Sequence, residues 1–323
     1  MLSSTDAPAS ALHPASSSQI PPAIAQAFAR VDTSAEAEAF TRELAQTHYE
    51  NFSVVSLLLP QRLRQDFCNI YAFCRIADDL GDEIHDVEQS LKYLDQFRAE
   101  LRDCYSGGAS SAVYRALRQT IDRHQIPIDP FLDLIDAFEQ DQRVTRYDTF
   151  EQLVDYCRRS ANPVGRLVLY VCGYRDAERQ RFSDCTCTAL QLANFWQDVR
   201  RDLHELDRIY IPRESLDRFG VSEAQLRQGV ADDNYRALIR FEVERTGKMF
   251  DEGDRLLPLL DSSVRRHVAL FAMGGRAVLD AIRRQNFDTL TRRPSLSSWQ
   301  KGRLAARAAT SQLLGMLSRR ASL

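Results

Sequence analysis

Several signals are missing from this chain, and each absence closes off a class of function. Cysteine is sparse and odd in number, seven in all, with no C-x-x-C pair, and Cys185-Thr-Cys187 lacks a second ligand cluster at zinc spacing. Neither a disulfide framework nor a structural zinc site is therefore expected, and a reduced, cytoplasmic setting is the natural one. The first 20 residues carry no Lys or Arg, which argues against a secretory or transit segment there. Rich in Ser, Ala and Pro, residues 1–25 read as a disordered tail ahead of a domain spanning 26–323. The strongest apolar runs, Val54–Leu59 and Leu167–Cys172, fall far short of the roughly 18 residues that span a bilayer. No G-x-G-x-x-G follows a strand pattern, so a nicotinamide held in a Rossmann unit is not expected. His13, His85, His124, His204 and His267 show no H-x-x-x-H or triad spacing. With a formal net charge of −3, nothing in the overall balance calls for a nucleic-acid partner.

What is present is helical signal. Apolar residues recur at three- and four-residue spacing in 61–80, 87–105, 111–123, 130–140, 150–172, 178–203, 233–257, 263–285 and 296–318. Gly107-Gly108, Pro127 with Pro130, Gly173, Pro212, Gly220 and Pro294 punctuate these stretches. No window alternates as a strand, no internal repeat is found, and no shift in composition marks a linker. The expectation is one all-α domain.

Two acidic strips carry the chemistry. In Tyr71-Ala-Phe-Cys-Arg75-Ile-Ala-Asp78-Asp79-Leu-Gly-Asp82-Glu83, Asp78 and Asp82 lie about 40° apart on a helix, with Tyr71 and Arg75 in the same sector. Like charges one turn apart cost roughly 0.2–0.5 kcal/mol even in water, and a divalent cation would offset that cost. Alone, the strip is equally consistent with a solvated face partnered by Arg75. The second strip is Gln191-Leu-Ala-Asn194-Phe-Trp-Gln-Asp198-Val-Arg-Arg-Asp202, whose Gln191, Asn194, Asp198 and Asp202 fall within an arc of about 80°. Gln197, Arg200, Arg201 and His204 make an adjoining polar face, so this strip too could be mere surface. Two such strips facing each other across a helical bundle could hold several magnesium ions on a diphosphate leaving group. Downstream, Arg208-Ile-Tyr210-Ile-Pro212 adds a cation and an aromatic ring.

At these residues the chain resembles the squalene/phytoene synthase family. Asp78-Asp79-Leu-Gly-Asp82 is similar to that family's first aspartate-rich motif. Asn194-x-x-x-Asp198-x-x-x-Asp202 with Arg208-x-Tyr210-Ile-Pro212 is similar to the second, about 115 residues on. The resemblance runs from about His48 to Trp299 and implies a single-domain isoprenoid-synthase helical bundle with a central active-site cavity. It also implies farnesyl- or geranylgeranyl-type diphosphate substrates. Metal ligands would be Asp78, Asp79, Asp82, Asn194, Asp198 and Asp202, with Mg2+ as the cofactor and Mn2+ as a substitute. His48, Phe52, Ser53, Arg75, Gln191, Arg208 and Tyr210 would bind substrate, and Tyr156, of Tyr156-Cys157, would lie near the reacting carbons. Phe52, Tyr156, Phe195 and Trp196 are candidates for a wall of π faces toward a carbocation, with plain core packing as the alternative.

Two departures from the family pattern are informative. Ser160-Ala-Asn162-Pro163-Val-Gly165 replaces a small, Gly-containing stretch, and no basic residue follows His48. Both resemble the hydroxysqualene synthases of bacterial hopanoid biosynthesis, implying conversion of presqualene diphosphate and water to hydroxysqualene without NADPH. Pro163 should break the helix at Asn162, whose amide would hold a water. The alternatives are head-to-head coupling of two prenyl diphosphates such as farnesyl diphosphate, and a catalytically inactive member acting as an assembly or binding subunit. Expected partners are the substrate and other enzymes of the squalene/hopanoid pathway. Residues 292–320 carry seven basic side chains and no acid. They read as a terminal helix packed on the bundle, or one resting peripherally on the inner face of an anionic membrane.

Overall fold

Thirteen α-helices account for nearly all of the structure, a computed structural model that describes residues 20–47 and 61–295. They are α1 Pro22–Phe28, α2 Ser34–Thr47, α3 Arg64–Asp82, α4 Val87–Ser106, α5 Ala112–His124, α6 Asp129–Asp141 and α7 Phe150–Ser160. After these come α8 Asn162–Val171, α9 Ala177–Glu205, α10 Arg213–Phe219, α11 Glu223–Gln228, α12 Asp233–Gly253 and α13 Ser262–Arg284. Among the described residues there is no strand, only isolated bridges joining Arg30 to Ser111 and Arg146 to Ile209. None of the described helices is long and apolar enough to cross a membrane.

The helix ends follow local chemistry. Asp86, Asp176 and Asp232 cap α4, α9 and α12 by accepting from the backbone N–H three residues on. Thr149 and Gln152 form a reciprocal capping box on α7. Gly107 ends α4 in the left-handed region, with φ of 99°. Helix α1 begins at Pro22, and its Ile24 and Ala27 are both buried in the core. The expected helix over 150–172 is two helices, and the interruption falls at Ala161, one residue before the expected site. Pro163 lies in the first turn of α8, where its missing N–H has no partner to lose. The expected helix over 233–257 turns into a 3-10 segment, Asp254–Leu259, that accommodates Pro258.

Two main cores result. One joins α3 to α4–α6 around Phe73, whose ring lies 5.0 Å from Phe97 and 4.9 Å from Phe131 between centroids. The other wraps α9 with α7, α12 and α13 around the fully buried Trp196. Helices α3 and α9, which carry the acidic strips, both pack on α8. All seven cysteines are free, and burial pushes the thiols of Cys74, Cys104 and Cys187 up to about 12, leaving them inert packing groups.

Candidate active site

The inner face of α3 buries Ile70, Phe73, Ile76, Ala77 and Leu80, and this sets where its acids point. Asp79 is turned inward, 4% exposed and ion-paired with Arg75. Arg75 also reaches Asp78 at 3.6 Å, so much of its charge is spent within its own helix. Asp78, by contrast, keeps 44% of its side chain accessible. Partial burial, with Asp82 one turn away, pushes Asp78 up to about 6. At the end of α3, the carbonyl of Gly81 accepts from Gln142 Nε2 at 2.7 Å. That bond ties the acidic motif to the end of α6 and sets Asp82 beside Asp141.

Asp141 is a residue that the motif search missed. It is 8% exposed, its Oδ2 accepts from the Tyr156 hydroxyl at 2.8 Å, and its Oδ1 has no hydrogen-bond partner among the described residues. Burial, with help from Asp82 and Asp78 and against the lowering effect of Arg208 and Tyr156, pushes it up to about 7. A sequence signal existed: Asp141 is the last residue of α6, where the helix dipole disfavours an anion.

Arg208 joins the parts. The loop after α9 runs alongside the loop after α6, with Ile209 N–H donating to Thr145 O at 2.9 Å and Arg213 N–H to Tyr147 O at 2.9 Å. Arg208 is thereby buried, its Nη2 donating to the Asp141 carbonyl at 3.2 Å and its Nη1 lying 3.5 Å from Asp82. The same loop stacks Tyr210 on Phe195, with centroids 3.7 Å apart and rings 9° from parallel. Tyr156 stacks beyond them, 6.2 Å from Phe195 and 6.1 Å from Tyr210, and Tyr147 lies 5.6 Å from Tyr156. Trp196 is not part of this wall: fully buried on the other side of α9, it donates Nε1–H to Thr246 Oγ1 at 2.8 Å.

On α9, Asn194 is exposed, whereas Asp198 and Asp202 are partly covered. Burial and the Asp198 charge push Asp202 up to about 7. Asp198 is already engaged by Arg293, which approaches both carboxylate oxygens, Nη2 to Oδ2 at 3.0 Å. Gln197 donates to the Pro294 carbonyl at 2.6 Å, so the segment after α13 is strapped over this face of α9. Arg293, in the stretch expected to pack on the bundle or rest on a membrane, therefore lies against this face of α9, where Gln197 and Asp198 offer it partners, while Arg292 pairs with Gln285. The rest of the C-terminal stretch, and the expected site residues His48, Phe52 and Ser53, lie outside the described residues.

One turn before Asn194, Gln191 enters the lining of an apolar cavity of about 270 Å3 between α8, α9 and α13. Val164, Val168, Leu190, Leu256 and Phe271 form its walls, and Ser160 and Ala161, at the helix break, reach it as well. Asn162 is buried beside the break, and its Oδ1 accepts from Thr188 at 2.9 Å. Its carbonyl oxygen is thus committed to the protein rather than turned to a water.

A polar, multiply acidic region beside an aromatic wall and an apolar cavity is suited to a lipid-tailed anion. The squalene/phytoene synthase family model matches residues 45–300. The chain belongs to the squalene/phytoene synthase family. It is 31% identical to a 15-cis-phytoene synthase of Synechococcus elongatus, covering 80% of this chain and 88% of that one. It is 33% identical to a phytoene synthase of Mycobacterium tuberculosis, covering 86% and 92% respectively. Among solved structures it matches the squalene synthase HpnC from Alicyclobacillus acidocaldarius with a TM-score of 0.76 and 46% identity, over 82% of this chain and 99% of that one. A dehydrosqualene synthase matches with a TM-score of 0.77 and 26% identity, over 86% and 96%. The protein is an all-helical enzyme of isoprenoid biosynthesis, of a magnesium-dependent family that acts on prenyl diphosphates.

The raised carboxylates have a consequence for stability. Asp141 and Asp202 sit near 7 in the folded protein against an ordinary 3.8, so folding takes up protons between those values. Their favourable contribution is complete below 3.8 and is lost as pH rises through about 7. The thermal midpoint of the metal-free protein should fall between about pH 5 and about pH 8, and added Mg2+ should raise it more at the upper end. A midpoint that climbs over that range without metal would contradict the assignment of these two groups.

Proposed function

We propose that the protein converts presqualene diphosphate and water into hydroxysqualene and diphosphate. The observation that carries this reading is the break between α7 and α8, which brings Ser160 and Ala161 into the wall of the apolar cavity. Ser160 Oγ is buried there without a hydrogen-bond partner among the described residues, a polar group poorly served by its own fold and suited to a water. The 46% identity to a protein described as the squalene synthase HpnC agrees with a squalene-pathway role.

The acidic strips fit a hard divalent cation. They offer carboxylate oxygens at one-turn spacing; burial and, after it, mutual repulsion raise Asp78 and Asp202, and a bound metal would relieve the repulsion. Among the described residues no three acidic, His or Cys side chains converge on one point. That suits magnesium, which takes one or two carboxylates and completes its shell with water and substrate phosphate. Asp78, Asp82, Asn194, Asp198 and Asp202 would share several magnesium ions, one or two carboxylates to each; Asp79, held by Arg75, would support the helix instead. Magnesium would supply Lewis-acid charge that stabilises the departing diphosphate.

The chain's own groups supply the rest. Arg208, the most buried cation near the strips, would hold diphosphate oxygens while keeping Asp82 and Asp141 in place. Tyr156, Phe195 and Tyr210 would present π faces to the cation. The apolar cavity would take the isoprenoid chains and keep bulk water away from it. No NADPH is required by this chemistry, because water rather than hydride closes the reaction.

Arg293 and a metal would compete for Asp198. Arg293→Gln is expected to bind Mn2+ roughly fivefold more tightly without substrate, as loss of an ion pair worth about 1 kcal/mol implies. Calorimetry or electron paramagnetic resonance titration measures this directly, and unchanged affinity would show that the pair does not guard the site.

The reaction itself is tested by incubating the full chain and Mg2+ with presqualene diphosphate, farnesyl diphosphate or geranylgeranyl diphosphate in 18O-water. Label is expected in a C30 alcohol formed from presqualene diphosphate, with little product from farnesyl diphosphate alone. Squalene, phytoene or presqualene diphosphate made from simple prenyl diphosphates would overturn the proposal and leave the family membership intact.

A further inference from the structure

Quenching a carbocation with water releases a proton, and the groups considered so far leave it without an acceptor. Asp79 is bound by Arg75, while Asp78, Asp82, Asp198 and Asp202 belong to the metal-facing strips. Asp141 belongs to neither strip, and it lies between the end of the first strip and the aromatic wall. Its backbone carbonyl receives Arg208 Nη2 at 3.2 Å, and the same guanidinium reaches Asp82 at 3.5 Å, so it is one side chain away from the diphosphate end. Its Oδ2 receives the hydroxyl of Tyr156 at 2.8 Å, and Tyr156 stacks on Phe195 and Tyr210, so it also borders the expected cation.

The geometry fixes one oxygen and frees the other. With Oδ2 committed to Tyr156, the carboxylate cannot rotate without breaking that bond. Oδ1 is left buried and without a hydrogen-bond partner among the described residues. An unpaired buried carboxylate oxygen gives up its hydration with nothing in return, a cost that a purely structural aspartate would not explain.

We propose that Asp141 is the proton acceptor in the quench. This rests on the hydroxysqualene reading above. Ionisation breaks the carbon–oxygen bond and diphosphate departs with the electron pair. A lone pair of the attacking water then forms the new carbon–oxygen bond, one water O–H bond breaks, and its proton passes to Asp141 Oδ1. The products are the alcohol and a protonated Asp141, which returns its proton to solvent when the product leaves. Tyr156 acts as a positioning residue in this step, since it aims the carboxylate.

The test is product partition with the full chain, Mg2+ and presqualene diphosphate in 18O-water. The measured quantity is labelled alcohol per diphosphate released, so total turnover does not enter. Asp141→Asn keeps the size of the side chain and an oxygen for Tyr156 but offers no base. Its alcohol share is expected to fall about 100-fold, with elimination hydrocarbons in its place. Asp141→Glu retains a carboxylate and should retain most of the alcohol share, which also covers the case of an Asn variant that folds poorly. An Asn variant with the wild-type alcohol share would overturn the proposal and point to diphosphate as the base. One that releases no diphosphate would also overturn it, because Asp141 would then be needed for ionisation. If the wild type itself forms no alcohol, the parent reading fails, and that outcome is seen before any variant is examined.

Discussion

Asp78→Ala and Asp198→Ala are each expected to lower turnover by at least about 1,000-fold at saturating Mg2+, with helical content unchanged. The two side chains sit on helices far apart in sequence, α3 and α9, and each lies within a repelling pair of acids. If both strips grip the same diphosphate through metal, loss of either removes charge stabilisation of the leaving group, and excess metal restores only part of it. Neither loss should unfold the chain. Removing Asp78 relieves repulsion from Asp82, and its side chain is 44% accessible. Asp198→Ala frees Arg293, itself 53% accessible, to meet solvent. Steady-state assays alongside far-ultraviolet circular dichroism would check both points. Near-normal turnover in either variant would mean that the strips do not share one site. Asp79→Ala should behave differently, since it removes the buried partner of Arg75, leaving that cation only the more accessible Asp78, and so registers first as lost stability.

That contrast between neighbours shows what was legible in the sequence. Spacing of about 100° per residue distinguishes Asp78 with Asp82 from Asp79, and it gathers Asn194, Asp198 and Asp202 on one strip. The limits of most of the longer helices followed from the same periodicity, in which α1, α2, α10 and α11 did not stand out, and the break near Pro163 followed from the fixed φ and missing N–H of proline. What periodicity does not encode is which groups meet across helices. Asp141 became visible only once Gly81 and Gln142 tied the end of α3 to the end of α6. Arg293 read as part of a basic terminal run, because nothing in its own neighbourhood announces Asp198, 95 residues away. Asn162 read as a holder of water because its partner, Thr188, lies 26 residues along the chain on α9. Local signals thus reported chemistry carried by one helix and were silent about chemistry assembled from several.

Trp196→Ala is expected to destabilise the protein by about 3–5 kcal/mol, the largest stability loss anticipated for a single change here. Trp196 has no accessible surface and is the largest of the fully buried side chains, so truncation opens a cavity where α9 packs on α12. Its Nε1–H also donates to Thr246 Oγ1, which in turn donates to the Glu242 carbonyl at 2.8 Å, so the hydroxyl would lose its incoming donor. Phe195, one residue earlier, faces the other way, onto Tyr210 and Tyr156. Phe195→Leu keeps apolar bulk but removes the π face, so its loss should fall mainly on turnover and product pattern. Denaturant titration of both variants, with product analysis of Phe195→Leu, separates the two roles. If Trp196→Ala keeps wild-type stability but alters the products, the tryptophan belongs to the cation wall, and the assignment of the two aromatic neighbours must be exchanged.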